Sequence, residues 1–207
     1  FNWNGDLTWS HTYSSDTKLQ HHDIYPLENG NILVLAVTVV SKEDAIELGR
    51  DPNKIDKEAV FNEQVIEIKP IGRNDIEVVW EWNVIDHIIQ DFDSTKLNFG
   101  VVKDNPQLLD FNYTGAVGGI DDWLHFNSMQ YDEEANQIIL GSRHLSEFYI
   151  IDHSTTTEEA ASSSGGKYNK GGDILYRWGN DQSYRKGNSS SQKLFGQHYV
   201  HRIKKGL

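Results

Sequence analysis

Histidines recur near the start of similar short segments along this chain. The residues concerned are His21, His22, His125 and His198. A neutral imidazole is both a nucleophile and a general acid or base near neutral pH. Any one of them is more often a packing residue than a catalytic one, so their chemistry depends on whether the fold brings them together.

The segment around residues 121–152 adds groups that bind anions. His125 and Asn127 are two residues apart and therefore share one face of a strand. Arg143 follows the next predicted strand, beside His144, at the same end of the hairpin. Its planar guanidinium suits a tetrahedral anion such as sulfate or phosphate. The alternative is that Arg143 pairs with one of the 31 acidic residues of the chain.

These residues lie on predicted β-strands that repeat along the chain. Asn29-Gly30 between two apolar runs predicts a hairpin, because both residues accept positive φ. Four-strand units are expected at residues 19–83 and 121–180, and a further unit begins at 194–203. A repeated four-strand unit is typical of a β-propeller, in which the first strands of all units converge on a central channel. The sequence thus predicts an all-β fold.

Composition excludes several classes of protein. The net charge of −12 argues against a nucleic-acid-binding protein, and no apolar run is long enough to span a bilayer. The absence of cysteine removes disulfides, thiolate catalysis and zinc–sulfur sites. We expect no cofactor and no metal.

Five segments, in chain order, carry a family resemblance. They are HHDIYPLENGNILVLA, VVWEWNVIDH, DDWLHFNSMQYD with IILGSRH, GGDILYRWGN and GQHYVHRI. Together they resemble the arylsulfotransferase family, whose bacterial members transfer sulfuryl groups without a nucleotide donor. The H-x-N-S, S-R-H and G-Q-H elements are the specific parts of this resemblance.

The resemblance implies a six-bladed β-propeller preceded by a small N-terminal β domain. Because residues 1–207 supply only about two blades and part of a third, we expect the chain to cover part of a propeller and to lack the N-terminal domain and the remaining blades. The family also implies a periplasmic or secreted protein, with an aryl sulfate donor and a phenolic acceptor as its partners. A homodimer is compatible with this prediction.

The resemblance further implies a ping-pong mechanism through a sulfated histidine. The matching nucleophile is His198, and His201 is a second candidate of lower rank. His125 and one of the adjacent pair His21 and His22 are expected to assist the leaving and attacking phenols. Arg143 is expected to hold the sulfuryl oxygens. The expected substrate-binding residues are Asn127, His144, Phe126, Tyr199 and Trp123. The last three are expected to form an aromatic wall that binds the aryl group.

Two other readings compete with this one. A propeller that has lost turnover would bind an anionic or aromatic ligand, although an intact set of His125, Arg143 and His198 argues against it. A metal site built from the histidines lacks a carboxylate–histidine ligand motif, and Arg143 would repel a cation.

Overall fold

A computed structural model describes residues 1–115 and 119–203. The first sheet contains four antiparallel strands in the order β1-β2-β3-β4. The strands are β1 (Lys18–Pro26), β2 (Ile32–Ser41), β3 (Ala59–Ile71) and β4 (Asp75–Asn83). The predicted hairpin at Asn29-Gly30 is confirmed: Gly30 has φ +88° and donates its N–H to the carbonyl of Leu27.

The apolar run of β2 is buried on both faces of the first sheet. Leu33 and Leu35 face the main core, whereas Val34 lies on the opposite face beneath Trp9 and Tyr13. Burial on both faces explains why this strand reads as a continuous apolar run rather than as an alternating one.

The segments between the sheets form short elements around a buried arginine. Arg50 is 1% exposed and donates from Nη2 to the carbonyl of Ile120 at 2.6 Å. Helix α1 begins after Ser41, whose hydroxyl accepts the N–H of Asp44. The elements are α1 (Lys42–Glu47), 3-10 turns at Pro52–Lys54, Val84–His87 and Val102–Asp104, and a parallel pair of β5 (Ile88–Ile89) with β6 (Leu109–Asp110).

The second sheet repeats the antiparallel pattern in the order β10-β9-β8-β7. Its strands are β7 (Phe126–Asp132), β8 (Gln137–Ser142), β9 (Glu147–Asp152) and β10 (Tyr176–Trp178). Helix α2 (Thr157–Ala160) lies between β9 and β10, and a 3-10 turn at Asp181–Tyr184 follows β10. The all-β prediction is confirmed, and the propeller remains a prediction.

The two sheets pack together through an aromatic stack. Phe126 lies 6.5 Å from Trp82 and 5.9 Å from Tyr149 between ring centres. Their first strands also lie side by side, because the carboxylate of Asp23 in β1 accepts the N–H of Met129 in β7 at 2.9 Å. The starts of the two repeats are thereby brought to one edge of the molecule.

Residues 194–203, expected to open a third unit, contain no strand. They nevertheless run beside β7: the N–H of Val200 donates to the hydroxyl of Ser128 at 3.0 Å, and Arg202 pairs with Asp132. The backbone N–H groups of Val200 and Arg202 therefore bond to side-chain acceptors of β7 and not to the backbone carbonyls of a paired strand. Within the described residues, no helix is long and apolar enough to cross a bilayer.

Candidate active site

Three imidazole rings form a row where the first strands of the two sheets meet. His22 in β1 faces His125 edge to face, with 4.8 Å between ring centres. His125, which directly precedes β7, stacks on His144 with the same separation and an interplanar angle of 26°. Of the histidines predicted to converge from separate repeats, His22 and His125 are in contact.

A left-handed backbone conformation sets two of these rings in the row. His22 and His125 both have φ +51°, and Tyr199 has φ +59°. Residues other than glycine seldom occupy this region, and such strain clusters at functional sites. By backbone conformation, His22, His125 and Tyr199 occupy equivalent positions. An alignment that matches His21 and His198 with His125 is therefore displaced by one residue at each of these two histidines.

Asp122 fixes the orientation of two rings in the row. Its carboxylate lies 2.5 Å from Nδ1 of His125, and its backbone carbonyl lies 2.5 Å from Nδ1 of His144. A protonated Nδ1 in each ring satisfies these acceptors and leaves Nε2 of each ring with its lone pair. Asp122 was missed in the sequence, although its position three residues before His125 was a usable signal.

A buried glutamate lies behind the other histidine of β1. Nε2 of His21 is 3.0 Å from a carboxylate oxygen of Glu63, whose side chain is 2% exposed. The second carboxylate oxygen of Glu63 accepts the N–H of Phe126 at 2.8 Å. His21 also meets His22, with 2.8 Å between their Nδ1 atoms. His22 is therefore the residue of the pair that faces His125, and His21 supports it.

The electrostatics of the row favour neutral rings at its accessible end. Partial burial, together with the charges of His21, His125 and His198, lowers the pKa of His22. Burial also lowers the pKa of His144, against the opposing effect of its hydrogen bond to Asp122. A neutral ring is required of a group that removes a proton from a phenol.

Arg143 adjoins this row without an acidic partner. Its backbone N–H donates to the carbonyl of His125 at 3.1 Å, so the two residues lie at one end of the β7–β8 hairpin. The side chain is half-buried. Among the described residues its guanidinium makes no ion pair, unlike Arg177, Arg185 and Arg202. The alternative that Arg143 serves a structural ion pair is not supported by this arrangement.

The segment that carries His198 is anchored on both sides. Asn127 donates its amide to the carbonyl of Gln197 at 2.7 Å, and Gln197 donates to the carbonyls of Ser142 and Glu147. His198 itself is exposed, and its charge acts on the pKa of His22.

Asn127 was expected to hold substrate. The structure instead shows it, 8% exposed, fixing the backbone beside His198.

His201, the second candidate nucleophile, is exposed and packs against Tyr199 with 5.0 Å between ring centres. Nδ1 of His201 also lies 3.3 Å from the carbonyl of Tyr199, whereas the charge of His198 acts on His22. His198 is therefore the better-supported candidate.

The predicted aromatic wall is corrected at two of its three positions. Phe126 is 0% exposed within the aromatic stack of the core. Trp123 is 3% exposed and donates its indole N–H to the carbonyl of Phe61. Both rings stabilise the packing between sheets and cannot contact a substrate. Tyr199 is 73% exposed and remains available for this role.

Asp122, His125 and His144 also satisfy the spacing of a metal site, with one ligand atom from each within 4.8 Å of the others. Asp122 is already bonded to both rings, and the nearby charge of Arg143 lowers the pKa of His144. The chemistry of this set fits a hydrogen-bonded network better than a cation site.

Comparisons with known proteins identify one family. The model of the arylsulfotransferase (ASST) family matches residues 1–205. Neither the search of curated proteins nor the search of solved structures returned a match. The family match spans nearly the whole chain, including every residue of the row and its anchors. The chain therefore belongs to the arylsulfotransferase family.

Proposed function

We propose that this protein transfers a sulfuryl group from a phenolic sulfate ester to a phenolic acceptor, through a sulfated His198. The observation that carries the proposal is the convergence of His22, His125 and His144 beside Arg143, which has no acidic partner among the described residues. Family membership supports sulfuryl transfer in general, and this geometry supports the individual roles.

In the first step a neutral ring nitrogen of His198 attacks the sulfur of the donor. The S–N bond forms as the S–O bond to the donor breaks, and the leaving phenolate takes a proton. A phenol has a pKa of about 10, so a positioned proton donor assists its departure. Nε2 of His22 is not engaged by His21 and is proposed to supply this proton, whereas Nε2 of His125 keeps its lone pair as an acceptor.

In the second step the acceptor phenol attacks the same sulfur. The S–N bond to His198 breaks, the new S–O bond forms, and the phenol proton passes to the neutral ring that had donated one before. Division of the transfer into two displacements is ordinary covalent catalysis and predicts ping-pong kinetics. No proton is gained or lost over the cycle.

Arg143 is proposed to stabilise the transferring group. Negative charge on the sulfuryl oxygens must be balanced in both transition states, and a preorganised donor there contributes more than in water. Arg143 offers a planar fork of donors. His144, whose Nε2 keeps its lone pair, is proposed to contribute to substrate binding as a hydrogen-bond acceptor from a buried position fixed by Asp122.

We further propose that the two sheets are neighbouring blades of a β-propeller. Their first strands lie side by side, as blades require at a channel. In β9 and β10 of the second sheet, half-buried Phe148 contacts Tyr176 and Trp178, which are 51% and 43% exposed. An exposed aromatic patch of this kind suits a further blade. A periplasmic or secreted location and a homodimer remain predictions.

The test is a transfer assay without any nucleotide. A chromogenic nitrophenyl sulfate is supplied as donor and an unsubstituted phenol as acceptor. We expect release of nitrophenol that depends on the acceptor, with the double-reciprocal plots parallel as in ping-pong kinetics. Saturable binding of the aryl sulfate without turnover would instead favour a ligand-binding propeller.

A further inference from the structure

His22 is connected to a buried carboxylate through a second imidazole. Its Nδ1 lies 2.8 Å from Nδ1 of His21, and Nε2 of His21 lies 3.0 Å from the carboxylate of Glu63. Among the described residues, neither Nε2 of His21 nor Oε2 of Glu63 has another hydrogen-bonding partner. The three side chains form one connected chain from the accessible end of the site to the interior.

Glu63 is an unusual residue for a sheet interior. The side chain is 2% exposed, and a buried carboxylate is costly unless it is paired. Its second oxygen accepts the N–H of Phe126, which follows His125 directly. Glu63 therefore ties the start of β7 to His21 in β1, and its charge is directed at the imidazole pair.

We propose that His21 and Glu63 act through His22 as a proton relay for the phenol oxygen. This inference rests on the proposed function. His22 is the group that touches the substrate, whereas His21 and Glu63 are positioning residues that determine which nitrogen of His22 carries the proton.

The steps balance without a net change in charge. Before the first displacement, His21 is an imidazolium paired with Glu63, and His22 is neutral with its proton on Nε2. The leaving phenolate takes the Nε2 proton of His22, while Nδ1 of His22 takes the Nδ1 proton of His21. Both rings are then neutral, and Nε2 of His22 has a free lone pair.

The acceptor phenol reverses these transfers. It gives its proton to Nε2 of His22, and the Nδ1 proton of His22 returns to His21. His22 thus never becomes an imidazolium and only exchanges one tautomer for the other. The positive charge resides on His21, where Glu63 stabilises it.

The charges around the two rings agree with this division. Burial lowers the pKa of His21, but the hydrogen bond and charge of Glu63, together with a hydrogen bond to the backbone of Ala36 and the charge of Asp122, outweigh it, and the pKa of His21 is raised. The pKa of His22 is lowered by burial and by the charges of His21, His125 and His198, against the opposing charge of Asp122. The proton shared by the two rings is therefore held by His21.

The decisive variant is Glu63→Gln, which retains the shape of the side chain and an acceptor for the N–H of Phe126 but carries no charge. We expect kcat/KM to fall about 10- to 100-fold for a donor with a poor leaving group, such as phenyl sulfate. We expect less than about 3-fold for a nitrophenyl sulfate, whose phenolate leaves without a proton. A merely structural role would lower both rates equally.

Glu67→Gln is the matched control. Glu67 lies on the same strand and pairs with Nε2 of His153 at 2.9 Å, but His153 has no contact with the row. We expect the dependence of its rate on the leaving group to match that of the wild type. His21→Asn, at a partly exposed position, is a second relay variant in case Glu63→Gln does not fold.

Equal losses with both donors in every folded relay variant would overturn the relay. The relay would also be overturned if kcat/KM of those variants depended on the leaving group as it does in the wild type. Sulfation of His198 in the wild type separates this failure from failure of the proposed function: the adduct supports the function even where the relay is wrong, and its absence removes both.

Discussion

The carboxylate of Asp122 lies 2.5 Å from Nδ1 of His125, three residues further along the chain. This contact holds the proton of His125 on Nδ1 and directs the remaining nitrogen away from the carboxylate. The same residue binds Nδ1 of His144 through its backbone carbonyl. One residue thus determines the orientation of two rings in the candidate active site.

Replacement of Asp122 by Asn should lower kcat by about 10- to 100-fold, because the amide can still accept the N–H but cannot stabilise a positive charge on His125. Steady-state kinetics with an aryl sulfate donor measures this. Asp121→Asn is the control: Asp121 accepts backbone N–H groups of Asp56 and Lys57 and does not contact the imidazoles. If both variants lose the same activity, Asp122 has no special role.

Arg143→Lys should lower kcat/KM by about 100-fold, the loss typical of removing a donor from an oxyanion site. Lysine retains the charge but not the planar fork that binds two sulfuryl oxygens together. The control is Arg202→Lys, which alters an arginine paired with Asp132. Full activity in the Arg143 variant would contradict the assignment of its side chain to the transferring group.

The lowered pKa of His144 has a consequence for stability in acid. The folded state binds the proton of this ring less readily than the unfolded state, whose histidine pKa is about 6.5. Stability is therefore lost as the pH falls below that value. The groups that act on this ring are Asp122, His125 and Arg143.

Urea unfolding of the wild type and of a His144→Gln variant between about pH 7 and 5 measures this contribution. The free energy of unfolding should fall more steeply with acid in the wild type than in the variant. The raised pKa of His21 acts in the opposite direction in both proteins and cancels in the comparison. Parallel curves would show that His144 is protonated equally in both states.

His87 should be the most costly histidine to remove for stability. It is 0% exposed, lies 2.9 Å from the carboxylate of Asp173 and 2.7 Å from the carbonyl of Ala160, and stacks on Trp82. His87→Ala leaves Asp173 buried without this partner, so we expect a loss of about 3 kcal/mol or more in unfolding free energy. His11→Ala, at an exposed position, should change little. A loss below about 1 kcal/mol for His87→Ala would contradict the buried pair.

The strands and hairpins were readable in the sequence because their signals are local. Asn29-Gly30 can adopt positive φ whatever surrounds it, and the continuous apolar run of β2 needs no tertiary information to be read as a buried strand. The prediction that His125 and Arg143 lie at one end of a hairpin followed from the β7–β8 pairing in the same way. These predictions required only the period of a strand and the length of a turn.

The roles of the other site residues depended on which side chains are buried, and no single segment of the sequence reveals that. Phe126 and Trp123 lie within two residues of His125 in sequence, yet both pack into the core. Glu63 gave no signal, since a carboxylate in a predicted strand is usually exposed. Its contacts with His21 and Phe126 are visible only when β3 of the first sheet is placed beside the start of β7.

The central claim is a covalent bond between sulfur and His198, and mass spectrometry tests it most directly. The protein is mixed with an aryl sulfate in the absence of acceptor, digested and mapped. We predict an increase of about 80 Da, the mass of a sulfuryl group, on the peptide that contains His198, and its loss on addition of a phenol. Acceptor-dependent turnover by a His198→Ala variant, or an adduct on His201 instead, would contradict the account.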